Sequence, residues 1–322
     1  MVDSAPLPRR PVYCVMSARS LPYARFAISS LLDNSLEALD LTFVTDDESD
    51  RTEIVAALAT ISQPKRHTIA IRIKSEIDEL ARSQWAELPH LRQFREGHPC
   101  WRKITDPLLL AKPGEEMIIL DPDLYFPNRF RFEATPAKGV LLMWQPPSCL
   151  LPDETVMNAY RHGLALAHHV DIGVAHARKN IDLQWLDKAI EEIAAGKPLP
   201  RAMHVEAIVW AAIAMKEGGA YLDPDYWHCF QNSQWKRIAI KVGVSGPSVL
   251  GVEKFASMKC FHGGGPAKWW IPGFLEAKRM PAARELQTQS RFQGFEELTL
   301  RSYESSQRVK RLARKLGYYK LF

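Results

Sequence analysis

Short apolar runs alternate with segments of helical periodicity through the first 75 residues, and nothing else in the sequence restricts the fold as tightly. "VYCVMSA" (Val12–Ala18) reads as a buried strand. "SLPYARFAISSLLDNS" follows, with Phe26, Ile28, Leu31 and Leu32 at helical spacing. "LDLTFVTDD" is a second strand ending in Asp46 and Asp47, "DRTEIVAALATI" a second helix, and "HTIAIRI" a third strand. Strands joined through helices in this way pair in parallel, and the helices cover both faces of the sheet. The expected fold class is α/β, a mainly parallel sheet flanked by helices.

Residues 76–112 read as charged helices, the last opening at Thr105 or Asp106 with Pro107 in its first turn. "EMIIL" is a fully buried strand that delivers Asp121 at its end. "GVLLMW" is another strand, and "HHVDIGVAHARK" a further one with a polar face. "DLQWLDKAIEEIAAG" and "HVEAIVWAAIAMKEGG" carry helical patterns, and the rest alternates short apolar runs with Gly and Pro. With no Gly/Ser-rich or Pro-rich linker, the expected organisation is a disordered lead-in over 1–11, one domain over 12–300 with a less regular C-terminal third, and a basic tail over 301–322.

Composition narrows the class. Of 322 residues, 46% are hydrophobic and 25% charged, as in ordinary globular proteins. No apolar run approaches the roughly 20 residues of a membrane span, and "MVDSAPLPRRP" lacks the apolar stretch of a secretory signal. Five cysteines without a C-x-x-C argue for reduced thiols in the cytoplasm, not a disulfide frame or zinc site. Residues 301–322 hold seven bases and one acid, so the tail carries +6 and the remaining chain −1. A nucleic-acid partner is not expected, because the body has no basic surplus.

The motif LDPD occurs twice, at Leu120–Asp123 and Leu222–Asp225. The first copy ends a run of four apolar residues, placing Asp121 and Asp123 where ligands meet open α/β sheets, at the carboxyl end of a strand. Residues i and i+2 of an extended segment face one way, so the two carboxylates can share an ion; their hard oxygens suit Mn²⁺ or Mg²⁺. The second copy follows the helix terminator "KEGGA" and reads as a turn. In "KCFHGGGPAKWW", His262 is a candidate third ligand. The glycines let a phosphate approach the backbone, and Lys268 supplies balancing charge. Trp269 and Trp270 read as packing beneath the glycine loop more readily than as a stacking platform.

By the order of these motifs, residues 12–272 resemble the GT-A glycosyltransferases that use nucleotide sugars, closest to glycosyltransferase family 8 and its relatives. The resemblance rests on the first strand and helix, on Asp121-Pro122-Asp123 as the family's D-x-D, and on His262, Gly265 and Lys268 in the register H-x-x-G-x-x-K. Lys268-Trp269-Trp270 departs from the family's K-P-W. The resemblance implies contacts to the nucleobase from Ser17, Ala18 and Tyr23 and to the base or ribose from Asp46. It also implies a donor contact from Lys103, four residues before Pro107. Asp171-Ile172-Gly173 stands where the family has N-S-G near the sugar. Glu206 is the nearest match to an acidic helix-start motif.

The implied reaction moves a sugar from a nucleoside diphosphate, by the resemblance a UDP-sugar, to a hydroxyl of a glycan, glycolipid or protein acceptor, with a divalent ion and retention of configuration. Asp171 and Glu206 are each candidates for a catalytic base. Two other readings stay open. One is a nucleotidyltransferase, against which the glycine-free "SARSLPYARF" after the first strand counts. The other is a non-catalytic module that binds nucleotide sugar or protein. In the tail, Val309, Leu312, Ala313, Leu316 and Tyr319 share one helical face between basic flanks, with Tyr318 and Phe322 beside it. Such a helix lies on an anionic membrane at the inner face, or docks its apolar face on the body.

Overall fold

The computed structural model describes residues 9–146, 149–286 and 291–315. The chain opens with β1 (Arg10–Val15), α1 (Leu21–Asn34), β2 (Leu39–Thr45), α2 (Glu48–Leu58) and β3 (Thr68–Ile73), the alternation read from the sequence. β1 starts inside the segment expected as a disordered lead-in. Arg10 is fixed there by ion pairs to Glu37 at 2.7 Å and Glu116 at 2.6 Å; residues 1–8 lie outside the described ones.

Three helices follow, α3 (Lys74–Gln84), α4 (Pro89–Gly97) and α5 (Arg102–Leu110). α5 begins three residues before the expected cap, so Pro107 sits inside the helix and Asp106 is no cap. Asp106 is instead fully buried and accepts from Arg95 Nε at 2.6 Å. Next come β4 (Glu116–Leu120), β5 (Leu124–Tyr125), β6 (Val140–Trp144), α6 (Asp153–Arg161), β7 (Val170–Arg178), α7 (Leu183–Ala194) and α8 (Val205–Glu217). Asp182 caps α7 by accepting from the Trp185 N–H at 3.1 Å. The last third consists of shorter pieces: β8 (Gly219–Tyr221), β9 (Trp227–Cys229), α9 (Gln234–Lys241), α10 (Gly246–Leu250), β10 (Cys260–His262), α11 (Ala267–Glu276), β11 (Gln293–Gly294) and α12 (Leu300–Lys315).

The large sheet has the order β11-β8-β6-β7-β4-β1-β2-β3, and all strands but β7 and β11 point one way. β4 explains why its sequence shows no alternation. Met117 and Ile119 enter the core under α3–α8, while Ile118 and Leu120 enter the core under α1 and α2. A strand buried on both faces has no polar side to display. A second, three-stranded sheet, β5-β10-β9, pairs β10 antiparallel to β5 and parallel to β9. Phe261 enters a separate cluster with Phe230, Ile271 and Phe274, while Leu124, Trp227, Cys229 and Cys260 join the core under α1 and α2.

The second LDPD is a turn. Asp223 Oδ1 accepts from the Asp225 N–H at 3.0 Å, and its carbonyl accepts from Tyr226 and Trp227. α12 docks on the body, but not through the face read from the sequence. Tyr303 and Gln307 are buried, and the Tyr303 hydroxyl donates to Asp153 at 2.9 Å. Val309 and Leu312 stay 65% and 58% exposed. Leu316, Tyr318, Tyr319 and Phe322 lie outside the described residues. Among the described residues, no helix is long and apolar enough to cross a membrane.

Candidate active site

A pocket of about 660 Å³ opens at the carboxyl ends of β1, β2 and β4. Ser17, Tyr23, Asp46, Lys103, Asp121, Asp123, Asp171, Glu206, His262, Gly265 and Lys268 all line it. Ala18 does not; it is buried just behind, its N–H donating to Asp50 at 3.1 Å.

Asp121 and Asp123 converge by a route the sequence does not show. The large sheet's β4 ends at Leu120, and Pro122-Asp123 turn the chain into β5 of the small sheet. β5 pairs with β10, setting His262 opposite Leu124, and Asp123 accepts the Gly263 N–H on its carbonyl at 2.9 Å. That pairing closes the gap of some 140 residues. His262 Nε2 lies 3.3 Å from Asp123 and 3.7 Å from Asp121. The three donor atoms fall within 4.8 Å of one another.

The other imidazole nitrogen is fixed. His262 Nδ1 lies 2.8 Å from Asp171 Oδ1, which also accepts the Gly173 N–H at 2.8 Å; Asp171 Oδ2 takes Cys229 Sγ at 3.2 Å. A carboxylate behind an imidazole fixes the tautomer that presents a bare nitrogen forwards. Gly173 leaves room for the ring, because a Cβ there would lie 2.6 Å from Nδ1.

Lysines balance the acids. Lys103 Nζ contacts Asp121 at 2.6 Å and Glu206 at 3.1 Å, and Lys268 Nζ contacts Asp123 at 3.0 Å. Burial raises the Asp123 carboxyl, but His262 and Lys268 outweigh it and hold the group well below the usual carboxylate range. Burial also acts against the His262 imidazolium, yet Asp171 and Asp123 raise its pKa far above the ordinary value. Glu206, fully buried, is pushed up to about 8 by desolvation. Neither of its oxygens accepts a hydrogen bond, since Lys103 is close enough for an ion pair but poorly angled.

The residues fit a divalent ion. Two carboxylates and one imidazole nitrogen form a hard donor set, and a carboxylate fixes the ring from behind. With His262 ligating as a neutral imidazole and Glu206 holding its proton, Asp121, Asp123 and Asp171 against Lys103 and Lys268 leave −1, so an incoming cation meets net negative charge.

Lys268 lies in the first turn of α11, directly after the glycine loop, where Gly265 adopts φ +62°. Tyr23 meets Trp269 edge-on at 4.9 Å, and Lys268 Nζ stands 5.1 Å from the Tyr23 ring. Trp270 packs against Phe230 beneath the loop, whereas Trp269 is 56% exposed. Three participants escape the sequence reading. Cys229 becomes visible only through the β9–β10 register, which sets it beside His262. Arg102 pairs with Asp46 and keeps its buried Nη1 unpartnered at the pocket wall. Asp50 ties the Thr45 hydroxyl and the Ala18 N–H together at the strand ends.

No family model matches the sequence, and no curated protein matches it. Solved structures do. Mouse xyloside xylosyltransferase 1 in its apo form superposes with a TM-score of 0.50 at 15% identity, over 80% of this chain and 98% of that one. An active-site mutant of LgtC gives 0.47 at 12% identity over 83% and 95%. The glycosyltransferase GlyE of Streptococcus pneumoniae TIGR4 gives 0.44 at 11% identity over 81% and 56%. The likeness to the xylosyltransferase shows the fold, the α/β architecture of the GT-A class.

Proposed function

We propose that this protein is a metal-dependent glycosyltransferase that moves a sugar from a nucleoside diphosphate, by preference UDP, to an acceptor hydroxyl with retention of configuration. The carrying observation is the convergence of Asp121, Asp123 and His262 beside Lys268 and the glycine loop in one pocket. Mn²⁺ or Mg²⁺ held by Asp121, Asp123 and His262 would neutralise charge developing on the departing diphosphate.

The chain's own residues do the rest. Lys268 and the N–H groups of Gly264 and Gly265 bind the diphosphate oxygens, the Gly263 N–H being held by Asp123. Ser17, Tyr23 and Asp46 border the end of the pocket that takes the nucleoside, and Ala18 shapes it from behind. Asp171 holds His262 in place, and both its oxygens are engaged, which leaves it poorly suited to take a proton. Glu206, beside Lys103 at 3.1 Å and with its pKa pushed up to about 8, is the better group to exchange a proton with the acceptor or to bind a sugar hydroxyl.

The acceptor fits a neighbouring cleft of about 770 Å³, which shares Gln145, Cys149, Phe230 and Asn232 with the donor pocket. Its far wall is α12, through Tyr303, Gln307 and Lys310. That wall brings the basic tail next to the acceptor. A glycolipid acceptor on the inner face of an anionic membrane suits this placement, with Val309 and Leu312 turned outward.

The test is thermal stability with a panel of nucleoside diphosphates and nucleotide sugars, with and without Mn²⁺, followed by assay of sugar transfer. Stabilisation by UDP that requires Mn²⁺, with release of UDP from a UDP-sugar, is expected. Binding without any turnover would reduce the protein to a binding module. Indifference to every nucleotide would end the proposal.

A further inference from the structure

We propose a second cation site, away from the donor pocket, formed by His168, His169 and Glu296 and taking a d-block divalent ion such as Zn²⁺. One donor atom from each residue falls within 4.8 Å of the others. Donor atoms around a tetrahedral zinc ion lie about 3.3 Å apart, so small side-chain rotations close the set. Two imidazoles and one carboxylate favour zinc, nickel or copper over magnesium.

The backbone assembles the set. Neighbouring residues of a strand point to opposite faces. His169 instead takes φ +54°, just before β7, and the two imidazole rings lie side by side, tilted by 34° with centroids 3.6 Å apart. Glu296 reaches them from the segment that follows β11. Its carbonyl accepts the His168 N–H at 2.7 Å, and Ala167 and Glu297 form a β-bridge alongside. Both sides of the site are therefore positioned by main-chain bonds before any ion arrives.

The protonation pattern agrees. His169 Nδ1 lies 3.0 Å from the Gln145 carbonyl, which can only accept. Nδ1 therefore carries a proton, which makes Nε2 the nitrogen that a neutral imidazole would turn to a metal. An adjoining cleft of about 190 Å³, lined by Trp144, His169, Tyr221, Gln293 and Glu296 among others, gives water access to complete the coordination. His168 and His169 also line the proposed acceptor cleft. An ion here would clip the segment leading into α12 to the edge of that cleft.

The test uses full-length protein stripped with chelator, with Asp123→Ala removing a ligand of the donor-pocket site so that Zn²⁺ bound there can be told apart. Zn²⁺ binding is measured by equilibrium dialysis, and Co²⁺ absorption reports the coordination. Three variants are compared with the wild type: His169→Asn, whose residue tolerates the left-handed backbone, Glu296→Gln and Asp123→Ala. A Zn²⁺ equivalent that survives Asp123→Ala is expected, with affinity at least about tenfold weaker in His169→Asn and Glu296→Gln. Undiminished Zn²⁺ binding by either of those two, or loss of the ion from Asp123→Ala, overturns the proposal.

Discussion

Gly173→Ala is a one-methyl perturbation aimed at the His262 ring. The Gly173 backbone lies outside the left-handed region, so alanine itself is unstrained there. Its Cβ, however, would stand 2.6 Å from His262 Nδ1, 2.9 Å from Cγ and 3.0 Å from Asp171 Oδ1. The first contact is about 0.8 Å short of ordinary packing distance, so the ring must retreat by roughly that much. Such a retreat takes the 2.8 Å bond between His262 and Asp171 beyond hydrogen-bonding range. Overpacking of this kind costs about 1–3 kcal/mol of stability. Loss of an orienting partner weakens metal binding about 10–100-fold, or about 1.4–2.7 kcal/mol. The assay is Mn²⁺ titration by calorimetry beside urea unfolding. Gly264→Ala serves as control, because its Cβ stays 3.9 Å from the same ring. Lost stability with unchanged Mn²⁺ affinity in Gly173→Ala would show that Asp171 and Gly173 do not set the imidazole.

Asp123→Ala should abolish Mn²⁺-dependent UDP binding and transfer while leaving the fold intact. Asp223→Ala should cost about 1 kcal/mol through its turn and leave transfer in place, and equal loss of transfer from both refutes the assignment. Desolvation lowers the His176 pKa to about 3, with Arg10 and Lys259 adding to it, so the folded protein holds this imidazole neutral. The unfolded chain binds that proton from about pH 6.5 downward, so stability is full above that pH and falls as the solution acidifies towards pH 3. By pH 5 the cost is about 2 kcal/mol. Urea midpoints at pH 7.5 and 5.0 should therefore converge in His176→Gln relative to the wild type, and an identical acid loss in both refutes this. Replacing Arg311, Arg314 and Lys315 together with Gln should weaken sedimentation with anionic vesicles about 100-fold, at about 1 kcal/mol per cation; unchanged sedimentation removes the membrane reading.

The elements most legible in the sequence are those whose pattern is local. β1 to β3 and the buried β4 follow from run length and apolar content, α7 from periodicity with Asp182 at its cap, and α8 from an apolar run closed by glycines. Asp121 stands out because four apolar residues precede it. The start of α5 is misplaced by sequence because Thr105-Asp106-Pro107 imitates a helix entry, whereas the fold uses Asp106 to neutralise the buried Arg95. The docking face of α12 is hidden for a related reason. Tyr303 and Gln307 are polar or amphipathic, and hydrophobic periodicity gives them no weight. Cys229 and the orienting role of Asp171 depend on register between strands far apart in sequence, information no single segment contains.

The two carboxylates of the first LDPD belong to different sheets of the structure. Asp121 terminates the large sheet, and Asp123 stands at the root of the small one, with only Pro122 between them. The pocket is thus a seam as well as a binding site. Repulsion among its acids pushes the two sheets apart, and each cation placed there draws them together. Lys103 neutralises acids on the large-sheet side and Lys268 on the small-sheet side, while His262 reaches across the join to Asp171 and Asp121. Shifts in salt or loss of counter-charge should therefore be felt first along this join, as a change in how firmly β5, β10 and α11 are pressed against the rest, while the interior of the eight-stranded sheet, closed over on both faces, feels little.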